Sequence, residues 1–370
     1  MKWSWRIGTF SGIDVFIHAT FLLIIGWVGL TYWQQTGTLA GTLEGILFIL
    51  VLFTFVVLHE FGHALTARRY GIKTRDITLY PIGGVARLER MPDKPIQELW
   101  VALAGPAVNL ALAVLLFAWL LISNTLAPLA SLNLTSGSFI ERLMLVNISL
   151  VLFNLIPAFP MDGGRVLRAL LALRLEYTRA TQIAASIGQG MALLFGFAGL
   201  FLSPQLLFIA FFVWIGAAQE ASMVQMKTAL GGISVRRAMI TDFHTLSPAD
   251  KLDRPVELIL AGSQTDFPVV DGSRVVGVLT RGDLLTALSR TKDASVSQVM
   301  RRDIELADAN EMLEPAFARL QTCGCHTMPV LYGGQLVGLL TSENIGEFLM
   351  IQAALRKSRS PEPSLPRSAS

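Results

Sequence analysis

His59, Glu60 and His63 form a His-Glu-x-x-His pattern, which on a helix sets two imidazoles one turn apart on a single face. Histidines so placed can share a zinc ion, with the intervening glutamate beside the metal to act on its bound water. Leu52, Phe53, Phe55, Val56, Val57 and Leu58 lead straight into the motif, so three ionisable groups are carried into an apolar run. Such groups are costly at membrane depth and by default mark function. The plainer alternative is a structural polar cluster satisfied by neighbouring helices.

Two histidines leave zinc short of ligands, and the other candidates are His18, His244, His326 and Asp162. His244 and His326 fall in the polar half, and His18, inside the first apolar stretch, reads as a packing residue. Asp162 lies in the segment Asn154 to Arg165, where Pro157 and Pro160 break a helix and Gly163-Gly164 permit close backbone approach. Irregular backbone at membrane depth has to be shielded by protein or line a watery cavity. Asp162 is therefore the best third ligand. The plainer reading makes it a cap for a helix beginning at Gly163. Asn154 shares the segment and is a candidate to hydrogen-bond a tetrahedral oxyanion or hold substrate backbone, with Asn109 a weaker one.

The elements that must carry these groups are membrane spans. The chain has 370 residues, 52% hydrophobic and 15% charged, against about 25% charged in an ordinary globular protein. Of its charged residues, 26 lie in the first 230 positions and 31 in the much shorter remainder. Six apolar stretches qualify as spans: 14–34, 43–67, 99–122, 140–157, 179–202 and 204–226, given that about 20 residues cross a bilayer. Lys2 and Arg6, the cluster from Arg68 to Lys94, Arg165 to Arg174, and Lys227 all fall on one side of this topology. The alternate loops carry no Lys or Arg. The positive-inside rule then places both termini in the cytoplasm of a multi-pass protein of the cell (inner) membrane. From His63 to Arg68 is less than two turns, so the motif lies about 10 Å inside the cytoplasmic face at roughly 1.5 Å per residue. A net charge of +3 is too small to argue for nucleic acid. Between Ile72 and Arg90, two runs of strand-forming residues flank Gly83-Gly84, which reads as a hairpin able to pair with an extended substrate.

The histidine motif, the segment from Asn154 to Gly163, Gly83-Gly84, and Gly105-Pro106 with Asn109 together resemble the site-2 protease family of intramembrane zinc metalloproteases. The resemblance implies one zinc per chain held by His59, His63 and Asp162, with Glu60 as general base. It also implies a substrate that is the transmembrane segment of a membrane-tethered, signalling-type protein, cut near the cytoplasmic face.

Residues 231–352 repeat internally at an offset of 61. Val235 to Met239 matches Val296 to Met300, Phe267-Pro268-Val269 matches Met328-Pro329-Val330, and Gly277 to Thr280 matches Gly338 to Thr341. The units, 231–291 and 292–352, resemble a tandem pair of CBS domains, which implies an adenosine nucleotide in the cleft between them. Thr280 and Asp283 fit that family's ribose-binding signature. In the second unit Thr341 is followed by Asn344, a departure from it. Such pairs also serve as docking or homodimerisation modules. The architecture expected is thus a six-span α-helical membrane domain (1–230), an α/β CBS pair (231–352) and a disordered tail (353–370). The contrasting class is a CBS-regulated channel or transporter that uses the intramembrane His, Glu and Asp as ion ligands. Cys323 and Cys325 are spaced poorly for a structural disulfide and fit a reducing compartment weakly.

Overall fold

A computed structural model describes residues 3–92, 94–125, 137–290, 293–323 and 325–359. The chain divides into two compact units, Met1–Val224 and Gln225–Ser370.

The first unit opens with strands β1 (Ser4–Phe10) and β2 (Ile13–His18), then helices α1 (Phe21–Thr36) and α2 (Leu39–Arg69). Strands β3 (Thr74–Tyr80) and β4 (Gly83–Leu88) follow, then α3 (Pro95–Ile122), α4 (Phe139–Asn154), α5 (Asp162–Ala172), α6 (Tyr177–Phe201) and α7 (Gln205–Leu230). Thr38 caps α2, its side chain accepting from the Gly41 amide at 3.2 Å, and Arg68 and Arg69 occupy its last turn. Both ends thus suit the helix dipole and its unpaired backbone groups. Ser138 and Glu141 close a reciprocal capping box at the start of α4.

Among the described residues, α2, α3, α6 and α7 are long and apolar enough to cross a bilayer. The remaining two expected spans are shorter than anticipated. Helices α1 and α4 have 16 residues each, about 24 Å at roughly 1.5 Å per residue. The first stretch begins as strand: Ile13 and Val15 are buried while their neighbours are less so, a period-two pattern that belongs to β2 rather than to a helix. The fourth ends at Asn154, ahead of Pro157.

The four strands form one sheet in the order β1-β2-β3-β4, with β2 and β3 parallel and both outer pairs antiparallel. The expected hairpin is present, and Pro81-Ile82 form its turn because Tyr80 pairs with Gly83. β4 is an edge strand lying against α2.

The second unit contains α8 (Asp253–Ala261), β5 (Phe267–Asp271), β6 (Arg274–Leu279), α9 (Arg281–Leu288), α10 (Val296–Val299), β7 (Ala307–Asp308), α11 (Leu313–Thr322), β8 (Thr327–Tyr332), β9 (Gln335–Thr341) and α12 (Ser342–Arg359). Its two halves exchange their leading segments. Ile240 bridges to Leu339 and Arg301 to Val278, while Ser234 bridges to Met312 and Lys251 to Ser295. Each bridge maps onto its partner by the 61-residue offset. Val235 and Ala238 are buried in a core with Leu313, Met328 and Ile345, whereas Val296 and Met300 join Leu252, Phe267 and Leu284. The packing units therefore differ from the consecutive units 231–291 and 292–352. Helix α12 carries through 353–359, which the composition had assigned to a disordered tail, and 360–370 lie outside the described residues. Cys323 caps the C-terminal end of α11, and its Cα lies 5.2 Å from that of Cys325. The two sulfurs are bonded, contrary to expectation.

Candidate metal centre

His59 and His63 are buried near the C-terminal end of α2, and Asp162 is buried at the first residue of α5. Their side chains converge. The two Nε2 atoms are 3.1 Å apart, and Asp162 Oδ2 lies 3.2 Å from each. A tetrahedral ion with ligands at about 2.0–2.2 Å requires donor atoms roughly 3.3 Å apart. The triangle is therefore of the right size, and its two-nitrogen, one-oxygen composition suits zinc with one position left open.

The far side of each ring is committed. His63 Nδ1 donates to the Val101 carbonyl oxygen at 2.7 Å, and His59 Nδ1 lies 3.0 Å from Asn109 Oδ1. An acceptor at Nδ1 fixes the tautomer that leaves Nε2 with a free lone pair, as a metal ligand needs. Both acceptors belong to α3, whose close approach to α2 is written in two glycines. A Cβ on Gly62 would lie 2.7 Å from the Ala104 oxygen, and one on Gly105 would lie 2.2 Å from His63 Nε2. Pro106 sits inside α3 and has no amide to offer the Ala102 carbonyl, next to Val101.

Glu60 points to the sheet: Oε2 accepts from the Ala86 amide of β4 at 3.1 Å. Asn154 and Asp162 flank the irregular segment, which contains a cis Phe159-Pro160 bond. Close approach is needed here as expected, because a Cβ on Gly163 would lie 2.2 Å from the Ile156 oxygen. His59, Glu60, His63, Asn154, Asp162 and Gly84 all line one cavity of about 330 Å³. Asn109 lies behind the imidazole instead, and His18 bonds Thr20 at 2.8 Å, away from the cluster.

Residues 47–127 and 122–195 match the profile of Peptidase family M50, and residues 235–290 match that of the CBS domain. Over 347 residues the chain is 32% identical to a zinc metalloprotease of Methanocaldococcus jannaschii, covering 93% of this chain and 96% of that one. The chain belongs to the site-2 protease family, peptidase family M50. A putative zinc metalloprotease of Synechocystis is 29% identical over 371 residues, covering 94% of this chain and 96% of that one. A solved site-2 protease from Methanocaldococcus jannaschii aligns at 37% identity and a TM-score of 0.44, over 59% of this chain and 95% of that one. Membership makes this chain a metalloprotease rather than a channel or carrier.

In the CBS part of this site-2 protease, Thr280 and Thr341 line one cavity of about 470 Å³ with Asp266, Arg301, His326 and Thr327. Asp266 and Thr327, one repeat apart, are hydrogen-bonded at 2.9 Å across it. The other two expected nucleotide contacts are spent elsewhere. Asp283 receives a hydrogen bond from Thr280 at 2.6 Å and the Arg301 fork at 2.6 and 3.1 Å. That pairing holds its carboxyl below the ordinary aspartate range. Asn344 donates from Nδ2 to the Ala238 carbonyl on the exchanged segment. Neither residue lines the cavity.

Two site features carried little sequence signal. Val101 acts through its backbone, so side-chain identity could not reveal it. The Ala86 amide is equally silent. Glu98, Arg168 and Glu220 did carry a signal, as ionisable groups in or beside apolar helices.

Proposed function

We propose that the chain is an intramembrane zinc endopeptidase that cuts a transmembrane segment of a membrane-tethered, signalling-type protein near the cytoplasmic face. The observation that carries this is the convergence of His59, His63 and Asp162 at 3.1–3.2 Å on the wall of a cavity shared with Glu60 and Asn154. His59, His63 and Asp162 are the metal ligands, for one zinc per chain. Zinc held there would supply Lewis acidity and a water acidic enough to attack a peptide carbonyl near neutral pH.

The chain's own groups do the rest. Asn109 and Val101 hold both rings with Nε2 toward the ligand triangle. Glu60 takes a proton from the attacking water and returns it to the leaving amine. Asn154 donates from its amide to the carbonyl oxygen as charge develops there. β4, an unpaired edge beside Glu60, takes an unwound substrate segment as an added strand. This opening is necessary because a helix hides its own peptide bonds.

In this reading α1 and α4 join the four longer helices as spans, giving six, with both termini in the cytoplasm of the inner membrane. An adenosine nucleotide occupies the CBS cleft between Thr280 and Thr341, and the pair regulates proteolysis or joins two copies of the chain.

Glu60→Gln tests the base assignment. Zinc content should stay at the wild-type level while cleavage of a model single-span substrate is lost. Retained cleavage would reject it.

A further inference from the structure

Among the described residues Arg168 is the largest side chain that is completely buried, at 0% exposure, and the chemistry above does not use it. It lies on α5, six residues after Asp162. Its Nε donates to Glu98 Oε1 at 2.7 Å, Nη2 lies 2.5 Å from the same oxygen, and Nη1 donates to Glu220 Oε1 at 2.5 Å. The guanidinium also faces the rings of Phe159 and Tyr177, 5.0 Å from each centroid. One side chain thus joins α3 (Glu98), α7 (Glu220), the first residue of α6 (Tyr177) and the segment that delivers Asp162 (Phe159).

We infer that Arg168 is a positioning residue for the metal centre, fixing the segment that carries Asp162 against the helix that orients both imidazoles. The inference rests on reading Asp162 as a metal ligand. Arg168 does not line the catalytic cavity, so any effect passes through others. Two routes exist. Phe159, stacked on the guanidinium, is three residues before Asp162. Glu98 is three residues before Val101 on α3, and the Val101 carbonyl orients His63.

A role in stability alone would not explain the residue types. A buried ion network is weak stabilisation, since apolar side chains of similar volume often serve as well. Two carboxylates against one cation are a worse choice still. A planar fork, however, fixes direction as well as distance, and it stacks on aromatic faces where an ammonium cannot match it. Those are properties that a ligand-bearing segment needs and a mere anchor does not.

Arg168→Lys keeps the charge and loses the fork. Zinc affinity, read by competition with a chelating indicator on the purified full-length protein, should fall about 10–100-fold. With substrate at saturating zinc, kcat should fall while KM stays near wild type, because the cavity wall is intact. Arg142→Lys is the comparison. Arg142 is also buried, but it pairs with Tyr32 of α1 and with Glu44 in the N-terminal part of α2, fifteen residues before His59 and far along the helix from both imidazoles. That variant should lower Tm and leave zinc affinity unchanged. Arg168→Lys with wild-type zinc affinity, whatever its Tm, would overturn the inference. Asp162→Ala in the same assay separates the two claims. If it too leaves affinity unchanged, Asp162 is not a ligand; if it alone weakens binding, only the role of Arg168 fails.

Discussion

Gly105→Ala is a one-carbon change placed where the metal centre has least room. The added Cβ would stand 2.2 Å from His63 Nε2 and 2.6 Å from His59 Nε2, where ordinary contact begins at 3.4 Å. The imidazoles or α3 must therefore yield by about 1.2 Å, the difference between 3.4 and 2.2 Å. Metal sites tolerate ligand errors of roughly 0.2 Å, and a misplacement of about 1 Å near the chemistry costs on the order of 100-fold in rate. We expect kcat/KM on a single-span substrate to drop at least about 100-fold, or roughly 2.7 kcal/mol of barrier. Zinc content after dialysis should fall with it. Gly190→Ala is the control: it lies in α6 with nothing within 4 Å of its Cβ, and it should be neutral in both assays. Wild-type zinc content and cleavage in Gly105→Ala would refute the packing argument and place the metal elsewhere.

Asn109→Ala removes the acceptor for His59 Nδ1, and zinc affinity should weaken about 10–100-fold; an unchanged chelator titration would make Asn109 a packing residue. Millimolar AMP or ATP should raise the Tm of the CBS unit in the full chain, and Thr280→Ala with Thr341→Ala should abolish the shift. No shift in wild type would leave docking or dimerisation as the role of the pair. The Asp283–Arg301 pair depresses the native Asp283 pKa, so its stabilisation is complete above the unfolded value of about 3.9 and is lost as pH falls through the lower native value. Asp283→Asn should therefore lower Tm at neutral pH, with the gap to wild type closing in strong acid. A gap independent of pH would mean that the ion pair contributes nothing.

The parts of the site that depend on side-chain type and spacing were legible in the sequence. His59, Glu60 and His63 announce themselves by helical spacing inside an apolar run, and Asp162 by a proline-broken segment at matching depth. The geometry bringing them together depends on α3, whose contributions are a carbonyl at Val101 and an absent side chain at Gly105. Neither leaves a pattern in composition. Asn109 was visible, but whether its amide faces substrate or an imidazole depends on helix rotation, which a local sequence does not encode. Hydropathy merged β2 with α1 because Ile13, Val15 and Ile17 are as apolar as the helix that follows. In the CBS unit, the 61-residue repeat was plain, whereas the exchange of Ser234–Ile240 with Ser295–Arg301 was not. Two similar segments can pack on either half, and only the folded core decides between them. Asn344 stands where the signature has its aspartate, and in the fold it bonds the Ala238 carbonyl instead.

The central claim is that a single zinc ion is gripped jointly by α2 and α5. Elemental analysis of detergent-purified wild type, His59→Ala and Asp162→Ala, each dialysed against the same weak chelator, tests it most directly. The account predicts one zinc per chain in the wild type and loss of metal in both variants. Full zinc occupancy in Asp162→Ala, with wild-type resistance to the chelator, would contradict it.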